Sequence, residues 1–183
     1  MSDVLHEIDA GFRSYLEAAL NLASRRVDQA EVYGVESVHT PVTFEANRLK
    51  FIETKETRGV SLRVIANGRV GLASTSRLDD PDSLVEDALA VARLGAEARY
   101  DLPWPAPTAA LSLYHEDAAG WTPAQMVETG RQMVEQMQQQ NGELLCEVHL
   151  ARSTGTTVLL NSRGMSGGDR KSVVSASASA NWI

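Results

Sequence analysis

The first apolar positions of the chain recur with a helical spacing. From Leu5 to about Ala23 an apolar residue stands at every third or fourth position, which places these residues on one face of an α-helix. We therefore predict a first helix over this segment, with that face packed against the core. The residues of the face are Leu5, Ile8, Phe12, Leu16, Ala19 and Ala23.

After Asp28 the spacing of the apolar positions changes to two, which is typical of strands that bury one face. We predict a run of antiparallel strands here. Asn67-Gly68 predicts a hairpin between residues 60–66 and 69–76, because both central residues of a tight type I′ turn have positive φ. The alternating residues are Ala30, Val32, Val42, Phe44, Leu49, Phe51, Val60, Leu62, Val64, Val70 and Leu72.

A second helix is predicted to begin at Asp80-Pro81. An aspartate accepts hydrogen bonds from the first free amides of a helix, and proline is tolerated there because that N–H is unpaired in any case. The predicted buried face of this helix comprises Leu84, Ala88, Val91 and Leu94.

A third helix is predicted from Thr122-Pro123-Ala124-Gln125, a capping box, to a point before Gly142. Met126, Met133 and Met137 share one face of it. A methionine stripe is either flexible core filler or a promiscuous binding surface, and we favour the core.

Between the second and third helices, residues 101–107 contain three prolines in five positions, which forbid both a helix and a central strand. We predict three parts: residues 1–100 as helix, antiparallel sheet and helix; residues 101–121 as a connector; and residues 122–183 as helix, hairpin and a strand cut short. The fold class is predicted to be α+β, an antiparallel hairpin sheet packed against helices.

Strand periodicity returns at residues 144–150 and 156–160, and Ser153-Thr154-Gly155 between them predicts the turn of a second hairpin. The segment beginning at Ala30 aligns with that beginning at Cys146, so we hypothesise a helix-hairpin duplication. The last segment, residues 172–183, is predicted to be a strand whose open edge is covered by further chain or by another subunit. The aligned pairs are Glu31 and Glu147, Val32 and Val148, Ser37 and Ser153, Thr40 and Thr156, and Val42 and Val158.

Composition narrows the function classes. The chain is 43% hydrophobic and 22% charged, which is ordinary for a folded globular protein. A net charge of −7 argues against a nucleic-acid partner. Cys146 is the single cysteine, so an intrachain disulfide is excluded and a reducing cytoplasm is expected. No apolar run approaches the ~20 residues of a membrane span, and we expect no membrane partner.

The histidines do not form a metal motif in the sequence. They are His6, His39, His115 and His149, and none lies three to five residues from another. His6-Glu7 begins like H-E-x-x-H, but Ala10 stands where the second histidine would be.

Other candidate groups have structural explanations. Cys146 and His149 are predicted to point to opposite faces of a strand. His115-Glu116-Asp117 is interpreted as a solvated loop. The glycines of Gly68–Gly71 and Gly164–Gly168 are interpreted as turn glycines, and Asp79-Asp80-Asp82 as a helix cap. No residue is predicted to be catalytic, cofactor-binding or metal-binding.

Several stretches together resemble the first domain of TldD/PmbA proteins, also called modulators of DNA gyrase. They are Asp28–Val32, Arg58–Ser76 and Leu84–Arg93. Residues 160–165 and the Ser/Ala-rich segment that follows resemble the second segment of the family. The resemblance covers most of residues 28 to 180, and Asn161-Ser-Arg-Gly is closer to the PmbA (TldE) branch.

The resemblance implies a bacterial or archaeal protein that pairs with itself or with a sister subunit to form a peptidase for extended peptides. The family's zinc motif, H-E-x-x-x-H, belongs to a carboxy-terminal domain, so zinc is implied only for a TldD-type partner. We expect a non-catalytic amino-terminal part; the alternatives are a gyrase-associated regulator or a free-standing enzyme.

Overall fold

The computed structural model describes residues 8–106 and 111–182; Leu5 and His6 lie outside the described residues. Its sheet is antiparallel and six-stranded and packs against helices, so the predicted α+β class is confirmed. The elements are α1 (Ala10–Ser24), β1 (Gln29–Glu45), β2 (Arg48–Ile52), β3 (Lys55–Ala66), β4 (Arg69–Thr75), α2 (Pro81–Leu94), α3 (Glu116–Ala119), α4 (Pro123–Gln140), β5 (Leu144–Asn161) and β6 (Ser166–Trp182).

The strands follow the order β4-β3-β1-β5-β6, and β2 also pairs with β1. β1 and β2 form a hairpin in which Thr43 lies opposite Phe51, with a register shift after Thr43. β3 and β4 pair without interruption from Val60 opposite Thr75 to Ala66 opposite Arg69. The turn between β3 and β4 has positive φ at both central residues, as the sequence predicts.

The first helix begins later than its apolar pattern suggests. Asp9 has a non-helical backbone and accepts a hydrogen bond from the N–H of Phe12 at 2.9 Å, so α1 starts at Ala10. Within the described residues the predicted helix therefore does not include Ile8 or Asp9. Its predicted face is buried where the structure describes it, and Tyr15 adds to that face.

The second helix starts where predicted but turns a different face to the sheet. Val91 is 48% exposed and Leu94 is 93% exposed, so their predicted burial is wrong; Val85 and Ala92 are buried instead. Gly71 explains the difference, because it lets α2 approach β4 closely. Gly71 lies inside β4, so its interpretation as a turn glycine is wrong. A Cβ on it would stand 2.1 Å from the carbonyl oxygen of Ala88, on the helix.

The capping box of α4 is confirmed, since Gln125 N–H donates to Thr122 Oγ1 at 3.3 Å and Thr122 N–H donates to Gln125 Oε1 at 2.8 Å. Met126 is fully buried, and the other two methionines of the stripe pack against the same core cluster. Gly130 admits the ring of Phe44, because a Cβ there would lie 2.2 Å from Cε2. The stripe is therefore core filler, as we favoured.

The predicted second hairpin is wrong, because β5 runs without a turn from Leu144 to Asn161. Ser153 is held in the extended chain by its hydroxyl, which lies 2.7 Å from Nδ1 of His39 on β1. The chain turns after Asn161, where Gly164 has a φ of +84°. Gly167 and Gly168, predicted to be turn glycines, lie in β6.

The element bounds follow the hypothesised repeat. At the 116-residue offset between Glu31 and Glu147, the bounds of β1 fall within a residue of those of β5, and β2 with β3 coincides closely with β6. Equivalent residue pairs also form hydrogen bonds. In the first copy Glu53 N–H donates to Pro41 O at 3.5 Å, and in the second copy the equivalent residues pair through Thr157 Oγ1, which donates to Asp169 O at 3.5 Å. These bounds support the duplication hypothesis; superposition of the two copies would test it.

The chain divides into two compact units, each with its own core. Unit one comprises Met1–Glu36, Thr57–Leu111 and Thr156–Arg170, and unit two comprises Ser37–Glu56, Ser112–Gly155 and Lys171–Ile183. The core of unit one includes Phe12, Leu16, Val32, Leu62 and Val85. The core of unit two comprises Val42, Phe44, Met126, Val134, Cys146, Val148 and Leu150.

The earlier three-part division, into residues 1–100, 101–121 and 122–183, stays a prediction. Within the described residues, no helix combines the length and the apolar character of a membrane span.

The close approach of α2 to β4 leads to a first prediction. We expect Gly71→Ala to lower the free energy of unfolding by about 2 kcal/mol, because backbone of the helix must move to admit the methyl group. Urea denaturation followed by circular dichroism measures this. Gly59→Ala, on the neighbouring strand, is the control. Its Cβ would meet nothing nearer than 3.8 Å, so equal losses from both variants would contradict the explanation.

Candidate functional site

Two histidines lie exposed in unit two, each beside a hydroxyl group of the neighbouring strand. His39 Nδ1 is 2.7 Å from Ser153 Oγ, and His149 Nδ1 is 3.4 Å from Thr43 Oγ1. Across residues 8–106 and 111–182, no three His, Cys, Asp or Glu side chains are grouped so as to hold a metal ion.

The segment His115-Glu116-Asp117, interpreted as a loop, is exposed but enters the short helix α3. The N–H of His115 donates to Ser172 Oγ at 2.9 Å, and the hydroxyl of Ser172 donates to His115 O at 3.2 Å. These bonds attach the segment to β6. The segment therefore has an anchoring role.

The prediction for Cys146 and His149 is confirmed. Cys146 is fully buried in the core of unit two, and His149 is exposed on the opposite face of β5. The thiol and the imidazole therefore cannot act as a pair.

Of the three acidic residues at the start of α2, Asp80 caps the helix, as interpreted. One carboxylate oxygen of Asp80 accepts from the N–H of Asp82 at 3.1 Å and of Ser83 at 3.2 Å. The hydroxyl of Tyr15 donates to the carbonyl oxygen of Asp80 at 3.3 Å. Burial raises the pKa of Tyr15, and the charges of Asp80 and Asp79 raise it further, so the phenol keeps the proton that it donates.

The Asn161-Ser-Arg-Gly motif builds the turn between β5 and β6. Asn161 is buried; its Oδ1 accepts from the N–H of Arg163 at 2.9 Å and of Met165 at 3.0 Å. Its Nδ2 donates to Pro103 O at 2.9 Å. The motif that carries the branch resemblance thus has a structural role, which links the turn to the start of the proline-rich connector.

Arg163 strengthens the same link. Its guanidinium lies 3.1 Å from a carboxylate oxygen of Asp101 and 4.9 Å from the ring centroid of Trp104. Gln29 donates to Asp101 at 2.6 Å and accepts from the N–H of Leu102 at 2.6 Å. The hydrogen bond from Gln29, and then Arg163, lower the pKa of Asp101, which therefore stays ionised as a structural anchor.

One exposed strand surface among the described residues is the β6 edge, defined as residues 172–182. Every side chain from Val173 to Trp182 is exposed, although the segment is a regular strand. The segment contains no charged residue and no proline. Native edge strands normally carry such residues because they discourage pairing with other chains.

β2 is also exposed along its whole length, but it carries charged residues that discourage pairing with other chains. Arg48 and Lys50 lie on it, and Lys50 Nζ is 2.8 Å from a carboxylate oxygen of Glu45 on β1. The hydrogen bond to Glu45 raises the pKa of Lys50, so the ammonium group stays charged. The β6 edge is therefore better suited than β2 to pair with a partner strand.

The turn at Asn161 leads to a second prediction. We expect Asn161→Ala to lower the free energy of unfolding by about 2 kcal/mol, because two partly buried N–H groups and one carbonyl group lose their partner. Urea denaturation measures the loss. Asn181→Ala, at an exposed position of β6, is the control, and we expect a change within about 0.5 kcal/mol. Equal losses would show that the Asn161 bonds contribute nothing specific.

Comparisons with known proteins point to one family. Residues 30–92 match the family model described as PmbA/TldA metallopeptidase domain 1. No curated protein matches the sequence.

Three solved structures share the fold at low sequence identity. TldE from Thermococcus kodakarensis is 17% identical, with a TM-score of 0.77, over 92% of this chain and 43% of that one. A protein from Bacteroides thetaiotaomicron, described as a modulator of DNA gyrase, is 19% identical with a TM-score of 0.82, over 93% and 41%. A similarly described protein from Thermotoga maritima is 11% identical with a TM-score of 0.78, over 92% and 42%.

This chain therefore spans less than half the length of each of these solved proteins. The matched residues 30–92 run from β1 through the hairpin and into α2, the stretch on which the resemblance in the sequence also rests. The chain is therefore similar to the TldD/PmbA family, in sequence over residues 30–92 and in fold over most of its length.

Proposed function

We propose that this chain is the non-catalytic amino-terminal part of a TldD/PmbA-type zinc metallopeptidase subunit. In that role it contributes to subunit association and to the access of extended peptides. Zinc belongs to a TldD-type partner, and this chain supplies no ligand to it. We further propose a cytoplasmic location and the PmbA (TldE) branch.

The β6 edge is the observation that carries this proposal. The uncharged residues 173–182 of β6, exposed on both faces, can extend the sheet by pairing with another strand through main-chain hydrogen bonds. Such pairing suits a partner subunit and also an extended peptide. The fold likeness to a protein named TldE supports the same assignment.

A gyrase-associated regulator without a peptidase role is the second candidate. It is favoured by the descriptions of two solved proteins of this fold as modulators of DNA gyrase. The net charge of −7 opposes direct contact with DNA, whose phosphates require clustered cations. This candidate predicts a change in gyrase supercoiling rate on addition of the chain.

The third prediction tests the peptidase role. We expect the chain to form a stable complex with a zinc-containing TldD-type subunit in sedimentation velocity. We expect the chain alone, incubated with zinc and an unstructured fluorogenic peptide, to show no hydrolysis above the rate of buffer with zinc.

The outcomes separate the candidates. Hydrolysis by the chain alone would contradict the non-catalytic assignment. Absence of association with the TldD-type subunit, together with an altered supercoiling rate, would assign the chain to the gyrase role.

A further inference from the structure

The sequence contains two Asn-Gly steps, and the structure places them in different environments. They are Asn67-Gly68 in the β3–β4 turn and Asn141-Gly142 between α4 and β5. At such a step the glycine nitrogen can attack the asparagine side chain, because glycine has no β-carbon to hinder the approach. Both glycines are exposed, so the contacts of each step decide whether the attack occurs.

The step at Asn67 is fixed on several sides. The N–H of Gly68 donates to Asp28 Oδ2 at 3.3 Å, and the carbonyl oxygen of Gly68 accepts from Ala98 N–H at 2.7 Å. The turn is also closed by the uninterrupted pairing of β3 with β4. The nitrogen that would attack is therefore engaged, and its peptide group cannot rotate without breaking these bonds.

The step at Asn141 is open. Gly142 is exposed, and nothing in the described part of the chain lies within 4 Å of the position that a Cβ on it would take. Its N–H has no acceptor among residues 8–106 and 111–182. The backbone of Asn141 is extended, and its N–H makes only a long hydrogen bond, 3.5 Å, to Met137 O. The peptide group between Asn141 and Gly142 is therefore free to rotate toward the side chain.

The side chain of Asn141 is held close to that peptide group. Its Oδ1 accepts from Glu143 N–H at 2.9 Å, a bond that closes a loop around Gly142 and keeps Cγ near the Gly142 nitrogen. Oδ1 gains negative charge when a nucleophile attacks Cγ, and a fixed N–H donor stabilises such an oxyanion. Asn141 thus combines an unengaged nucleophile with a donor at the developing charge.

We propose that Asn141 is a site of spontaneous modification, at which the side-chain amide is lost through a succinimide. The nitrogen of Gly142 loses its proton to hydroxide and forms a bond to Cγ of Asn141. The bond from Cγ to Nδ2 then breaks, and Nδ2 takes a proton from water and leaves as ammonia.

Water completes the reaction by opening the succinimide. When the bond from the ring nitrogen to Cγ breaks, the product is aspartate. When the bond from the ring nitrogen to the main-chain carbonyl carbon breaks, the product is isoaspartate, in which the chain runs through the former side chain. Water is the only co-reactant, and nothing is oxidised or reduced.

The modification places a negative charge at the carboxyl end of α4. The last turn of this helix has no basic residue, and its free carbonyl groups already make that end negative. Glu143 adds a second carboxylate beside the site. We therefore expect the end of the helix to loosen near Met137, which packs against the core of unit two.

The effect is confined to the end of α4. The side chain of Asn47, in the turn between β1 and β2, donates to Leu144 O at 2.9 Å and accepts from Cys146 N–H at 2.7 Å. These bonds do not involve Asn141, so we expect β5 to stay paired after the modification.

The fourth prediction compares the two steps in the same folded chain. The full chain is incubated at mildly alkaline pH and digested with trypsin, which places Asn67 in the peptide 64–69 and Asn141 in the peptide 132–152. Mass spectrometry measures the loss of amide in each. We expect the loss at Asn141 to be about fivefold faster or more, the ratio that one hydrogen bond provides. In the chain unfolded by urea we expect the two rates to become similar.

Two variants of the chain exchange the properties of the two steps. Gly142→Ala adds a methyl group in open space, so we expect an unchanged urea midpoint; the new β-carbon hinders the attack, so we expect the loss at Asn141 to slow to the rate at Asn67 or below. Asp28→Ala removes the acceptor of the Gly68 N–H, and we expect the loss at Asn67 to become faster.

Three results would overturn the proposal. One is an equal rate at the two steps in the folded chain. Another is an Asn141 peptide that keeps its amide while the unfolded chain loses it. The third is a rate at Asn141 that Gly142→Ala leaves unchanged, which would indicate direct hydrolysis without a succinimide. None of these measurements involves a TldD-type subunit, so the proposed function stands or fails separately.

The fifth prediction tests the effect of the charge. Asn141→Asp introduces the carboxylate at the end of α4 while keeping an acceptor for Glu143 N–H, and we expect a lower urea midpoint. Ala124→Asp introduces the same charge in the first turn of the same helix, where the free N–H groups favour it, and we expect no loss. Equal losses from both variants would contradict the role of the helix end.

Discussion

The pairing of β1 with β5 is the constraint on which the rest of the structure depends. In unit one, Ala30 N–H donates to Ser162 Oγ at 2.9 Å and Ser162 N–H donates to Ala30 O at 2.8 Å. In unit two, the side-chain oxygen of Asn47 accepts from Cys146 N–H at 2.7 Å. A slip of one residue would move Phe44 and every other inward side chain of its strand to the opposite face. Bonds near both ends of the strand pair exclude that slip.

The parts of the fold that follow from local chemistry could be predicted from the sequence. One turn and two helix caps are determined by residues that are adjacent in the sequence. They are the turn at Asn67-Gly68, the cap at Asp80-Pro81 and the capping box at Thr122. The parts that depend on distant partners could not. Ser153-Thr154-Gly155 has the composition of a turn but is extended, because a long neighbouring strand provides the partners that keep it so. The conformation of the β1–β2 turn could not be predicted from the sequence. Alanine seldom adopts a positive φ, but Ala46 does so in this turn.

The candidate site was predictable in outline only. The small-residue composition of residues 172–183 predicts a strand with an open edge, and the similarity of Glu31-Val32 to Glu147-Val148 indicates the repeat. Which face of β6 adjoins the core depends on its register with β5, and sequence alternation alone does not define a register. Local sequence can therefore identify the strand, whereas the face of it that adjoins the core requires the packed sheet.

The cleft that α4 leaves for Phe44 has a consequence for the order of folding. Gly130 lies in the middle of that helix, where glycine costs about 1 kcal/mol of intrinsic helix stability relative to alanine. The same glycine is what lets the aromatic ring of β1 sit against the helix axis. The helix is thus weak in isolation and gains its stability when a strand synthesised much earlier reaches it. Its formation is coupled to long-range strand assembly, so we expect it to be a late event on the folding pathway.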